Sequence, residues 1–285
     1  MIAEIPGKEN LELDVLPLAK LVPHEDIIPS LRDSVVRDLE RSGYQRDPIL
    51  VDKKTNVVLD GMHRRAALQQ VGARFAVCAI FDYFDEKIIL ERWIRHFLSP
   101  DRKMIDEMID LFELKKTKDI DSAIRSVNDS SSPIALLSAR QSYVSSGKYD
   151  VQSLYRKLGD FDRLARERKM EVEFHSEQEG PSLFASESVF VLYPLPFKKQ
   201  DILHVASIGK TFPFKTTRHI VPLRPMGLYF PLDILKQTDL GMCKDKLEEI
   251  VKNSKIEVIP PSVWYEGRKY SEPISLFRHG PEEKN

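Results

Sequence analysis

The chain has 285 residues, 42% hydrophobic and 31% charged, with 43 Lys and Arg against 44 Asp and Glu for a formal net charge of −1. Its length predicts two closely packed domains with a sizeable core, and its composition excludes the disordered and fibrous classes. The balanced charge excludes a protein-wide positive field, so no nucleic-acid partner is expected. Cys78 and Cys243 are too few and too far apart for a disulfide framework or a thiolate zinc site. No segment has the layout of a leader or the length of a membrane span, and a reduced, cytoplasmic setting without a membrane partner is the expectation.

In chain order, residues 11–21 alternate apolar and polar side chains and read as a strand entering a turn at Pro23. Residues 30–42 carry Leu31, Val35, Val36 and Leu39 at helical spacing, ended by Gly43. Two strands follow, at 48–51 and 57–59, joined by turn residues 52–56. A helix over 62–71 stops at Gly72, and the apolar run 76–81 reads as the next strand. Residues 88–114 turn helical in pattern, with Met104, Ile105, Met108, Ile109 and Phe112 toward a core. The Asn- and Ser-rich stretch 128–133 is the expected exposed loop or domain seam. Beyond it come a strand pair at 134–138 and 142–145, a charged helix over 151–168, a strand at 188–193 and a helix over 198–208 ended by Gly209. The tail adds a charged helix near 244–252 and an aromatic stretch at Trp264 and Tyr265. This alternation predicts a mixed α/β fold with domains at 1–98 and 99–239 and a C-terminal extension, 240–285, of unassigned role.

The chemistry concentrates in three places. Leu59-Asp60-Gly61-Met62-His63-Arg64 passes from a strand directly into a helix. A glycine there lets the backbone approach a ligand, and the unpaired N–H groups of a first helical turn favour phosphate or carboxylate. Arg64 can add a planar, bidentate donor. The same residues also fit a helix start capped by Asp60 with His63 and Arg64 in solvent. Lys215-Thr216-Thr217-Arg218-His219 is a cationic, hydroxyl-rich cluster that equally fits a polar loop. Glu25, in Pro23-His24-Glu25, fits either a proton acceptor or a solvated carboxylate ahead of a helix. Trp93 fits a core aromatic or a substrate wall. Two cationic clusters with isolated carboxylates suit phosphoryl transfer, in which a protein chiefly positions reactants and neutralises phosphate charge; Asp60 is then the residue to hold Mg²⁺. The spacing of His24, His63 and His219 matches no zinc pattern, and no structural zinc is expected.

Taken together, Pro23-His24-Glu25, the Asp60–Arg64 turn and Lys215–His219, with Phe81-Asp82-Tyr83-Phe84 and the Trp93 region, resemble the ADP- or ATP-dependent free L-serine kinases of the ParB/sulfiredoxin superfamily. The resemblance spans residues 11–235 and rests on the order and spacing of the motifs. It implies a ParB/sulfiredoxin-like nucleotide-binding domain packed on a second small α/β domain, with a cleft between them, and ATP or ADP phosphorylating free L-serine to O-phosphoserine. By that likeness Glu25 is the catalytic base and Asp60 supports Mg²⁺ and the reacting groups. Gly61, Met62, His63 and Arg64 form the phosphate turn, and Thr216, Thr217, Arg218 and His219 grip phosphate. Trp93 and Lys215, with Arg218 and His219, then bind the acceptor. One departure stands in the turn: Met62 occupies the place of a family histidine, and a thioether neither carries charge nor donates a conventional hydrogen bond. Gly61, Arg64 and Ala67 also satisfy the pattern with which ParB proteins hold CTP, so a nucleotide-binding switch without kinase activity is the rival reading. Against it, no helix-turn-helix follows the first domain.

Overall fold

The structure is a computed structural model that describes residues 1–5, 10–177, 179, 189–265 and 267–279. The chain forms two compact units, Met1–Ile89 with His219–Asn285 and Leu90–Arg218.

The first unit opens with β1 (Ile2–Ala3) and β2 (Leu11–Pro17), then α1 (Pro29–Ser42), β3 (Tyr44–Gln45), β4 (Ile49–Asp52), β5 (Val58–Asp60), α2 (Met62–Gln70) and β6 (Phe75–Phe81). Five strands form one sheet in the order β1-β2-β6-β4-β5. β6 runs antiparallel to β2, with Val15 opposite Val77, and parallel to β4, with Leu50 opposite Ala79. β4 and β6 lie at the middle of the sheet, and their residues read as near-continuous apolar runs because both faces are covered. Gly43, at φ 74, ends α1 by the left-handed route that glycine adopts at no steric cost.

The chain enters the second unit through β7 (Ile89–Arg92), followed by β8 (Ile94–Leu98), α3 (Arg102–Leu111), β9 (Leu114–Lys116), α4 (Ile120–Asn128), β10 (Ile134–Leu137), β11 (Ser142–Ser145), α5 (Val151–Glu167), β12 (Val172–His175), β13 (Val189–Pro194) and α6 (Lys199–Ser207). Its six-stranded sheet has the order β12-β8-β13-β10-β11-β9, antiparallel throughout. The helical pattern expected over 88–114 holds only for α3. Ahead of it the chain forms β7 and β8, because Pro100 and the left-handed Ser99 (φ 49) separate α3 from a strand buried on both faces. Arg95 interrupts the apolar signal of β8, and its charge is met by buried Asp162 of α5 at 2.9 Å. Helix α4 and strand β12 were not anticipated. The 128–133 stretch, exposed over 128–131 with Ser132 buried, links α4 to β10 inside this compact unit. Ser188, expected to begin β13, lies outside the described residues.

The return is made by β14 (Thr217–Ile220), which pairs with β7, and by β15 (Arg224–Met226), β16 (Phe230–Pro231), α7 (Leu232–Leu235), α8 (Leu240–Asn253), β17 (Ser254–Ile259), β18 (Val263–Tyr265), β19 (Arg268–Tyr270) and β20 (Ile274–His279). The compact units are therefore divided elsewhere than the contiguous segments expected from the sequence. Residues 240–279 belong to the first unit: α8 packs on β2, Lys244 pairs with Asp14 at 2.9 Å, and β20 runs parallel to β15 with Arg224 opposite Ile274. Among the described residues no helix is long and apolar enough to cross a membrane.

Candidate functional site

In the first unit, residues 22–28 run alongside residues 57–63. Val22 bridges Val57 in parallel, the His24 Nδ1–H donates to the Val58 carbonyl at 2.7 Å, and the Ile28 N–H donates to His63 Nε2 at 3.0 Å. These contacts run the segment that holds half-buried Glu25 beside β5 and the start of α2, so two motifs remote in sequence lie side by side.

The step from β5 into α2 is made at Gly61, whose φ of 103 an L side chain adopts only under strain, and a Cβ there would also press on the Arg64 side chain at 3.1 Å. Gly61, not Asp60, is the N-cap of α2, and no side chain caps the helix. The capping residue itself therefore supplies no side-chain acceptor to the first turn of α2. Met62 is 7% exposed and packs in the core of the turn. His63 accepts at Nε2, so its ring is neutral in this arrangement. Arg64 is anchored from behind, donating to the Pro48 carbonyl at 2.8 Å and lying 3.7 Å from Asp47.

The other imidazoles of this region are neutral as well. Burial pushes His24 down to about 4, against the opposing pull of the Val58 carbonyl and Asp60. Burial, reinforced by His24, holds His219 well below the ordinary histidine range. His219 meets the Tyr83 hydroxyl at 2.8 Å and stacks edge-on with His24 at 5.4 Å between ring centroids. Positive charge near the turn thus comes from arginine. A groove of about 590 Å³ is lined by Ser34, Val35, Arg37, Asp38 and Arg41 of α1 with Arg46 and Arg64. Beside the turn, Arg224 donates from Nη1 to Asp60, from Nε to Glu272 at 2.5 Å and from Nη2 to the His219 carbonyl at 3.1 Å. Burial by itself would lower the Arg224 pKa, but the two carboxylates outweigh it and raise it. Arg224, Glu272 and Tyr83 were absent from the sequence-derived site residues. The available signal was a charge inside the apolar run Val221-Pro222-Leu223-Arg224-Pro225-Met226, which demands a buried partner.

The second unit holds the other cluster. Thr217 and Arg218 begin a buried strand, which corrects the polar-loop reading of this stretch. Half-buried Trp93 donates from Nε1 to the Thr217 carbonyl at 3.0 Å. Lys215, left-handed at φ 59, sets its ammonium 3.8 Å above the centre of the Trp93 ring, and Arg218 lies 5.5 Å from the same centre. Arg218 is buried against Glu91 at 3.0 Å, a partner the sequence did not reveal. Thr216 is wholly buried. Trp93, Lys215, Thr217 and Arg218 are therefore brought together, while His219 belongs to the first unit.

These motifs have close parallels. No protein-family model matches the chain. Over 240 residues the chain is 25% identical to an ATP-dependent L-serine kinase of Staphylothermus marinus, covering 81% of this chain and 94% of that protein. It is 24% identical over 229 residues to an ADP-dependent L-serine kinase of Thermococcus kodakarensis, covering 78% and 92%. A free serine kinase solved in complex with AMP superposes with a TM-score of 0.67 at 22% identity, covering 80% of this chain and 95% of that one. The fold is that of the free serine kinases.

Proposed function

We propose that this protein is a nucleotide-dependent kinase that transfers a phosphoryl group from ATP or ADP to the hydroxyl of free L-serine, giving O-phosphoserine. The observation that carries the reading is the run of the Pro23-His24-Glu25 segment along the Asp60–His63 turn, in a chain similar to L-serine kinases over nearly their whole length. Glu25 accepts the proton of the serine hydroxyl as its oxygen attacks the terminal phosphorus, and the bond from phosphorus to the bridging oxygen of the nucleotide breaks. The first-turn N–H groups of α2 and Arg64 face the phosphate oxygens, a backbone and guanidinium site that neutral His24, His63 and His219 do not supplement with charge. Thr216, Thr217, Arg218 and His219 bind phosphate, and Trp93 and Lys215, with Arg218 and His219, bind the carboxylate and amine of serine.

Among the described residues no group of three His, Cys, Asp or Glu could hold a metal ion. The described residues accordingly offer no ready-made cation cage. Magnesium carried in on the nucleotide needs one protein carboxylate, with phosphate oxygens and water completing its shell, and half-exposed Asp60 fits that part. Bound there, it would neutralise charge on the phosphate oxygens. The similarity to named kinases over 94% of their length also speaks against a CTP-binding switch. Incubation of purified protein with ATP or ADP, Mg²⁺ and L-serine tests the assignment: O-phosphoserine forms in the parent, and the Glu25→Gln variant, still folded, makes none. Absence of any phosphorylated amino acid with either nucleotide overturns it.

A further inference from the structure

Arg224 ties together three pieces of chain that are remote in sequence: Asp60 at the end of β5, the carbonyl of His219 in β14, and Glu272, just ahead of β20. All three nitrogens of the guanidinium are committed, and the side chain is 8% exposed. Its backbone is fixed too, since the Arg224 N–H donates to the Pro273 carbonyl at 3.0 Å, and Met226, Tyr270, Ile274 and Leu276 form one apolar cluster around the strand pair. Glu272 is 3% exposed, whereas Asp60 is 36% exposed. One guanidinium therefore stands between a buried carboxylate and a solvent-facing one. A buried Arg–Glu pair is already neutral by itself; the added Asp60 contact does nothing for that neutrality and holds the exposed carboxylate in a single orientation.

We propose that the C-terminal segment completes the reaction site: Glu272 holds Arg224, and Arg224 orients Asp60, so both are positioning residues for phosphoryl transfer. The inference rests on the reading of Asp60 as part of the site. It follows that residues 240–279 are required for turnover through a specific side chain, beyond their part in the core.

The test is a double-mutant cycle of Glu272→Gln and Asp60→Asn, followed by steady-state O-phosphoserine formation and by thermal melting. Glutamine keeps the volume and an acceptor oxygen for Arg224 but loses the charge. In Glu272→Gln, kcat falls about 10-fold to 100-fold while KM for nucleotide and for serine stays within about twofold. In the Asp60→Asn background the same change costs nothing further, because the group it orients is gone. Arg224→Lys, which keeps the charge but loses the fork, reproduces the loss in kcat and serves the same cycle if Glu272→Gln does not melt cooperatively. Parent-like kcat in folded Glu272→Gln, or losses that multiply with those of Asp60→Asn, overturn the inference. Parent-like turnover in Asp60→Asn instead overturns the reading of Asp60 itself, so the two failures are distinct.

Discussion

Around Asp60, three imidazoles are held neutral and a buried arginine stands between two carboxylates; around Trp93, a lysine rests on an indole face and an arginine is buried against a single glutamate. In the first region a helix start lies beside a guanidinium that is tethered to the Pro48 carbonyl. In the second, Arg218 is paired with Glu91 and Lys215 lies over the Trp93 ring. A ligand of the first region would meet a helix start, and a ligand of the second would meet side-chain charges. Substituting each region in turn should therefore produce different signatures.

The largest effect is expected at the turn. Asp60→Asn should lower kcat by about 10²-fold to 10⁴-fold while the melting temperature stays near the parent value, because the carboxylate is half exposed; steady-state kinetics beside a thermal melt check it. In the second region the signature reverses. Arg218→Met leaves Glu91 charged and buried, and the chain should lose about 3–5 kcal/mol of stability, read from a urea unfolding midpoint.

Acidification probes the neutral imidazoles. His24 titrates near 4 in the folded protein and near 6.5 when unfolded, so its contribution is whole above about pH 6.5 and is lost as the pH falls toward 4. The loss across that window is about 3 kcal/mol for this one residue, and His219 acts in the same direction. Urea midpoints at pH 7 and pH 4.5 that coincide would contradict the neutral state of these rings.

Gly61→Ala strains a backbone at φ 103 and crowds Arg64, at a cost of about 2 kcal/mol. Nucleotide affinity by calorimetry should weaken with it, since the amides of α2 move. The smallest effect belongs to Lys215→Met, which removes a cation from the Trp93 face. Stability should change by only about 0.5–1 kcal/mol, and KM for serine should rise more than KM for nucleotide; equal changes in both would blur the distinction between the two regions.

Local chemistry made much of this legible in advance. Gly43, Gly61 and Gly72 mark the ends and beginnings of helices because glycine adopts their left-handed backbones at no steric cost, and the apolar runs of β4 and β6 announce buried strands. Periodicity failed at β8, where Arg95 and His96 lie inside a buried strand, Arg95 paired with Asp162 of α5 and the His96 ring set against that of His175. A single chain position carries no record of such a partner.

The order of the motifs, the strand-to-helix turn and the mixed α/β class follow from the sequence, because each depends on residues close together along the chain. The run of residues 22–28 beside residues 57–63, the burial of Met62, the return of residues 219–279 to the first unit and the grip of Arg224 on Asp60, His219 and Glu272 were decided by tertiary structure alone. The reason is physical: a buried charge needs an opposite one within a few ångströms, and which carboxylate supplies it depends on strand pairing across some fifty to two hundred residues, not on neighbours in sequence.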